Sequence, residues 1–240
     1  MYFCTLVESA VMSSRNRTTS PFQQLLHYLL GLPRSLYVNF RCLPFRQAVH
    51  MPILVSHRTR LKHLSGKVVV NGQLKMGLVK IGLSTSQLSD FRKDRTVVDF
   101  RGGIEFNGKC KIGSGSRIMV ADTGQLVFHD NFCNSSHLSI VCFKYIEFGS
   151  NNTCAWHTLV MDTDQHSIVN DAGVRINEDS PVHFGDKVWC GCNVIVLKGT
   201  DITHDVVLAA GSVVHGHHDC PHTIIAGNPA KIVKKGVSFI

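Results

Sequence analysis

Phe184-Gly-Asp-Lys-Val-Trp, Cys190-Gly-Cys-Asn-Val-Ile, Val196-Leu-Lys-Gly-Thr-Asp, Ile202-Thr-His-Asp-Val-Val, Leu208-Ala-Ala-Gly-Ser-Val: five hexads run without interruption from residue 184 to 213. The first position is always apolar: Phe184, Cys190, Val196, Ile202, Leu208. The fifth is always small or β-branched: Val188, Val194, Thr200, Val206, Ser212. A fixed short period is the mark of a stacked architecture. A short strand and a tight corner, repeated, coil the chain into a prism. The first position points inward, and the fifth sits near a corner where only a small side chain fits. Gly, Asn and Asp populate the corners because they tolerate unusual backbone angles. Coils then stack at strand spacing, about 4.8 Å, and the open ends need caps.

The same phase holds at Phe100, Phe106, Ile112 and Ile118, and again at Phe148, Cys154 and Val160. The breaks between 122 and 148 and between 164 and 182 are expected to be loops leaving the prism. Residues 67–240 therefore read as one β-helical domain with an excursion at 164–182. Residues 1–66 read as a basic arm with a short helix, serving as cap or interface. Residues 1–19 show no interpretable pattern, and Met12 is an alternative start. Ser20, Pro21 and Gln23 form a helix opening. Phe22, Leu25, Leu26 and Leu29 share a face, and Gly31 and Pro33 are expected to end the helix.

Composition bounds the function. Of 240 residues, 44% are hydrophobic and 18% charged, against a usual charged share of about 25%. A core-forming chain follows, not a disordered one. No apolar run approaches the roughly 18 residues that span a bilayer. Residues 1–95 hold 14 basic and 3 acidic side chains, and residues 96–240 hold 11 and 14. The net charge of +8 thus resides in the N-terminal part, which favours an anionic partner. The arm lacks the interleaved aromatics of a nucleic-acid surface, so no nucleic acid is expected. An anionic membrane contact is compatible with it, helped by Arg34, Arg41 and Arg46 beside the apolar helix face. Glu8 interrupts the first apolar run and no basic stretch precedes it, so no secretory signal is expected. The nine Cys are then expected to be reduced thiols in a cytoplasmic protein. Cys190 and Cys192 lack the further ligands of a zinc site, so no metal is expected.

Four segments carry a resemblance. They are Val188-Trp189-Cys190-Gly191-Cys192-Asn193, Leu208-Ala-Ala-Gly-Ser-Val-Val214, Ala226-Gly-Asn-Pro-Ala-Lys231, and Trp156-His-Thr-Leu-Val-Met-Asp-Thr-Asp-Gln-His166. Together they resemble the hexapeptide-repeat acyltransferases, above all the bacterial polysaccharide and sugar O-acetyltransferases. Leu36 to Phe40 and Pro52 to Val55 resemble the N-terminal part of envelope-polysaccharide acetyltransferases. The resemblance implies an all-β fold, a left-handed parallel β-helix. It implies acetyl-CoA as donor, a sugar hydroxyl as acceptor, and a homotrimer with sites between subunits, at the inner membrane face or free in the cytoplasm.

The resemblance also assigns roles. His166 is the general base, and imidazole suits that task because its ordinary pKa lies near the working pH. Asp162 and Asp164 either orient it or satisfy local corners. Trp189, Cys192, Ala210, Ser212, Asn228 and Lys231 are assigned to CoA, with Trp189 alternatively a plain cover on the prism wall. His137, Trp156 and His157 fall on the acceptor side. Three positions depart from the pattern. Cys192 stands where galactoside-type relatives have Ser, and His137 where they have Asn. His215, Gly216, His217 and His218 replace a V-T-K-D turn. Two rival readings remain: a zinc hydratase like the gamma-type carbonic anhydrases, using His217 and His222, and a non-catalytic β-helical scaffold.

Overall fold

The computed structural model describes residues 21–84, 89–90 and 93–240. Three sheets wrap into a left-handed parallel β-helix, with a helical arm at its N-terminal end. The first face has nine strands, from Ile53–Val55 to the pair Thr223–Gly227 and Ala230–Lys235. The second has seven, from Arg60–Leu64 to Val213–Val214. The third also has seven, from Val68–Val70 to His217–His218. Among the described residues all strand pairs are parallel except the last pair of the first face.

The hexad phase is the burial phase. Phe184, Cys190, Val196, Ile202 and Leu208 are all buried, as are Val188, Val194, Thr200, Val206 and Ser212. Hydroxyls at the fifth position have an internal partner. Thr200 Oγ1 donates to Leu197 O at 2.6 Å, Ser212 Oγ to Ala209 O at 2.7 Å, and Thr158 Oγ1 to Ala155 O at 3.1 Å. The side chain closes its own corner, so a polar group enters the wall without an unmet bond. Along the third face Phe106, Phe128, Phe148 and Phe184 stack inside the prism, with centroids 5.7, 5.2 and 4.5 Å apart. Such contacts each contribute about 1 kcal/mol beyond burial.

The segment 122–148 does not leave the prism. Gln125–Phe128, Phe132–Asn134, Ser139–Cys142 and Tyr145–Phe148 are strands of its faces. The phase slips because coils differ in length. Val196 pairs with Val214, eighteen residues on, but Ile118 pairs with Ile140, twenty-two on. Between residues 118 and 160 the extra residues collect at one edge, where the second face turns into the third, as at 121–124. The 164–181 excursion leaves from that same edge, between Leu159–Met161 and Val182–Phe184.

The arm also differs from expectation. Helix α1 runs Pro21–Cys42, straight through Gly31 and Pro33, and Ser20 lies outside the described residues. Tertiary bonds override the two breakers. Ser35 Oγ accepts from Val55 N at 2.8 Å, and Asn39 bonds both Ile53 N (3.1 Å) and Ile53 O (2.6 Å). Gly31 permits this approach: a Cβ there would sit 2.5 Å from Val55 O. The helix thus satisfies backbone groups of the first strand and covers the end of the prism. A short helix α2, Phe45–Ala48, follows. Strand pairing begins at Ile53, so the first coil uses residues 53–70, ahead of residue 67.

Candidate functional site

Two edges of the prism carry the residues singled out by sequence. The first lies between the first and second faces. There a left-handed residue recurs in successive coils: Gly115 (φ 72), His137 (54), His157 (62), Asn193 (55) and Gly211 (75). Stacking of coils stacks their side chains. The His137 and His157 rings lie 4.7 Å apart at 21°. His137 Nε2 also meets Asp94 Oδ1 at 3.2 Å. Trp156, Cys192 and Ala210 are the neighbours of these corner residues along the same edge.

The second edge, between the second and third faces, carries His166. Its ring is exposed at the root of the excursion. The backbone there is held from the far side of the loop. Asn177 Nδ2 donates to His166 O at 2.8 Å and to Asp164 Oδ2 at 2.7 Å, and Asn177 Oδ1 accepts from Ile168 N at 2.7 Å. Lys198 Nζ pairs with Asp164 Oδ2 at 2.6 Å. Those two partners, Lys198 first and Asn177 next, hold the Asp164 carboxyl below its usual pKa. Asp164 is thus fixed one residue away from the Gln165–His166 step, whose Gln165 adopts φ 60.

Asp162 has a different task. It is fully buried, and its carboxylate accepts from Phe143 N, Lys144 N and Tyr145 N at 2.7, 2.7 and 2.8 Å. It braces the widened corner of the preceding coil, with three of its roughly four acceptor sites taken by backbone amides. Ser212 is equally committed. Its N–H donates to Ala209 O, its C=O accepts from Ile195 N, and its hydroxyl accepts from Gly227 N. Ala210, one residue before the left-handed Gly211, is exposed.

The CoA-assigned residues form a strip toward the C-terminal end. Trp189 is 40% exposed on the outer side of the first face, beside Phe239 at 5.9 Å. Asn228 and Lys231 are exposed around the turn of the terminal hairpin. His217 and His222 turn to separate carboxylates, Asp201 at 3.6 Å and Asp205 at 2.8 Å. Among the described residues no three metal-binding side chains converge.

Sequence reasoning missed Asn177, Lys198 and Asp94. Lys198 carried a usable signal: Val160 pairs with Val196, so Lys198 lies one coil above the start of the excursion.

No protein-family model matches the chain. Over 143 residues it is 33% identical to "Putative lipopolysaccharide biosynthesis O-acetyl transferase WbbJ" of Escherichia coli (strain K12), covering 56% of this chain and 72% of that protein. The chain belongs to the hexapeptide-repeat acyltransferases. A second relative of this acyltransferase is the "Uncharacterized 24.8 kDa protein in cps region" of Klebsiella pneumoniae, 26% identical across 84% of this chain and 87% of the other. Among solved structures, a maltose O-acetyltransferase from Clostridium difficile 630 is 30% identical across 46% of this chain and 58% of its own, with a TM-score of 0.41.

Proposed function

We propose that this acyltransferase moves an acetyl group from acetyl-CoA to a sugar hydroxyl of a bacterial envelope polysaccharide or its precursor, with His166 as general base. The printed name of the Escherichia coli relative supports the substrate class. One structural observation supports the base: an exposed imidazole at a loop root clamped by Asn177, Asp164 and Lys198. His166 takes the hydroxyl proton as the sugar oxygen attacks the thioester carbonyl. Collapse of the tetrahedral adduct breaks the carbon–sulfur bond, and the imidazolium returns the proton to the leaving thiolate. Trp189, Cys192, Ala210, Asn228 and Lys231 line the donor side. Lys231 meets a CoA phosphate as a point charge. His137, Trp156 and His157 serve the acceptor.

Within one chain these groups occupy two edges separated by the second face. A homotrimer resolves the separation: the His166 edge of one copy meets the His137–His157 edge of its neighbour. The direct test is CoA release from acetyl-CoA across a panel of envelope sugars. Release that depends on a sugar acceptor is expected. Its absence with every acceptor overturns the reading in favour of a scaffold.

The partner calls extend to the membrane. Leu25, Leu29, Leu36, Tyr37 and Phe40 of α1 are 46–57% exposed on one face. Arg41 and Arg46 are exposed beside it, while Arg34 turns inward to Thr59 O. An apolar stripe flanked by cations matches an anionic bilayer surface, each cation adding about 1 kcal/mol close to it. Sedimentation with anionic vesicles is expected at low salt, to weaken at high salt, and to vanish in Leu29→Glu. Absence of low-salt binding, or an oligomer that dissociates in Leu29→Glu without any vesicle effect, refutes the membrane contact.

A further inference from the structure

The outer walls of the prism differ in charge. On the first face, the outward register that contains Trp189 carries Lys80, Lys111 and Lys234, and none of its described residues is acidic. The outward register of the third face carries Glu105, Glu147 and Asp201, and none of its described residues is lysine or arginine. An anionic ligand is therefore favoured on the first face and disfavoured on the third. Toward the C-terminal end the first-face wall is also apolar. Trp189 pairs with Val207, and Val207 with Ile224, both half-buried. Ile224 pairs in turn with the exposed Lys234, three strand spacings from Trp189, about 14 Å. A flat apolar floor with a cation at its rim suits a planar ring that carries phosphate.

A side wall is fixed beside that floor. At the edge between the third and first faces three left-handed residues stack, Lys187 (φ 57), Asp205 (56) and His222 (56). The chain that follows the strand Ala230–Lys235 hooks onto them. Val237 N donates to His222 O at 3.0 Å. Ser238 Oγ accepts from Lys187 Nζ at 2.6 Å and donates to Asp205 Oδ1 at 2.9 Å. Asp205 Oδ2 meets His222 Nδ1 at 2.8 Å. Burial works against the Asp205 charge, but Ser238 and Lys187 outweigh it and hold the carboxyl below its usual pKa. This latch sets the Phe239 ring against Trp189, 5.9 Å between centroids and 49° between planes. Lys187 Nζ lies 5.8 Å from the Phe239 centroid, within cation–π range. Because the rings meet at an angle, Trp189 remains 40% exposed. The pair is an open corner, not a closed stack.

The latch makes Phe239 a wall and not a lid. Charge-assisted and backbone hydrogen bonds hold Val237 and Ser238 before any ligand arrives. The ring is thus ordered in advance, and the entropy of ordering it does not fall on the binding step. We propose that Phe239 is a donor-site residue: with Trp189 it forms an aromatic corner that takes the adenine of CoA, while Lys234 meets a phosphate of the same nucleotide. Ser238 and Asp205 act through Phe239, as positioning residues. The role of the corner rests on the donor reading given above.

Adenosine 3′,5′-bisphosphate, a nucleotide fragment of CoA without the thiol arm, is the probe, with binding measured by calorimetry on the full chain. Binding is expected in the wild type, with acetyl-CoA competing for the same site. Phe239→Ala should weaken it at least about fivefold, the low end of what loss of an aromatic partner costs a stacked base. Phe239→Trp should restore it. Phe239 lies on the outside of the prism, so an unchanged melt is expected of both variants. Ser238→Ala should weaken binding in the same direction and by less. In turnover, Phe239→Ala should raise the KM for acetyl-CoA with kcat little changed. Acetyl-pantetheine, which lacks the nucleotide, should serve Phe239→Ala and wild type equally. Five results each overturn the corner: no bisphosphate binding at millimolar concentration, binding indifferent to Phe239, tighter binding in Phe239→Ala as a displaced lid would give, no competition by acetyl-CoA, or an equal loss with acetyl-pantetheine. Bisphosphate binding needs no turnover, so failure of the transferase reading would register separately, in the CoA-release assay.

Discussion

His166→Ala should bind acetyl-CoA as the wild type does, melt normally, and lose turnover by at least about 10²-fold, the usual contribution of a general base. The variant removes an exposed side chain, so no cavity forms and the fold has no reason to suffer. The bonds that shape the loop root go to the backbone of His166 and to Asp164, not to the ring, and they survive the change. The loss should therefore fall on kcat, with the Kd for acetyl-CoA unmoved. A variant that loses CoA binding or unfolds would make His166 structural. Undiminished turnover would move the base to the other edge, where His157 lies stacked on His137 and is the next residue to replace.

The sequence was legible where its period was strict. From Phe184 to Val213 each coil is three hexads, so reading every sixth residue gives the buried set directly. Between 122 and 148 the same physics operates, but the corners after the second face are longer. A reader of period six loses step there and infers a loop. The core residues Leu126, Phe128, Leu138 and Ile140 are nonetheless as buried as the later ones. Helix α1 was misjudged for the opposite reason. Gly31 and Pro33 are local stop signals, while the bonds of Ser35 and Asn39 to the first strand are tertiary and leave no mark on a local pattern. At the site, Asp162 and Asp164 look alike in sequence, two residues apart. Only the coil stacking separates them, placing Asp162 under three amides and Asp164 beside Lys198. The Asp94–His137 pair joins residues of different coils, and neither residue's own neighbourhood in sequence points to the other.

Val196→Asp should leave no cooperative unfolding transition and no defined oligomer. Val196 is fully buried at a first position, paired through the sheet with Val160 below and Val214 above. A carboxylate there faces apolar walls with no cation among the inward residues of its neighbours. Burying such a charge unpaired costs several kcal/mol even after relaxation, against a total stability of about 5–15 kcal/mol for a domain. Stacked coils support only their neighbours, so the fault would also separate the terminal coil and hairpin from the rest. The neighbouring residue supplies the control. Ile195 points outward and is half-buried, and Ile195→Asp keeps its charge in contact with water. It should cost no more than the few tenths to about 1 kcal/mol typical of surface changes. Thermal melts followed by circular dichroism, with sizing by light scattering, compare the two. An ordinary melt for Val196→Asp, or equal damage from both substitutions, would show that the inward phase has been misassigned and would take the prism's interior down with it.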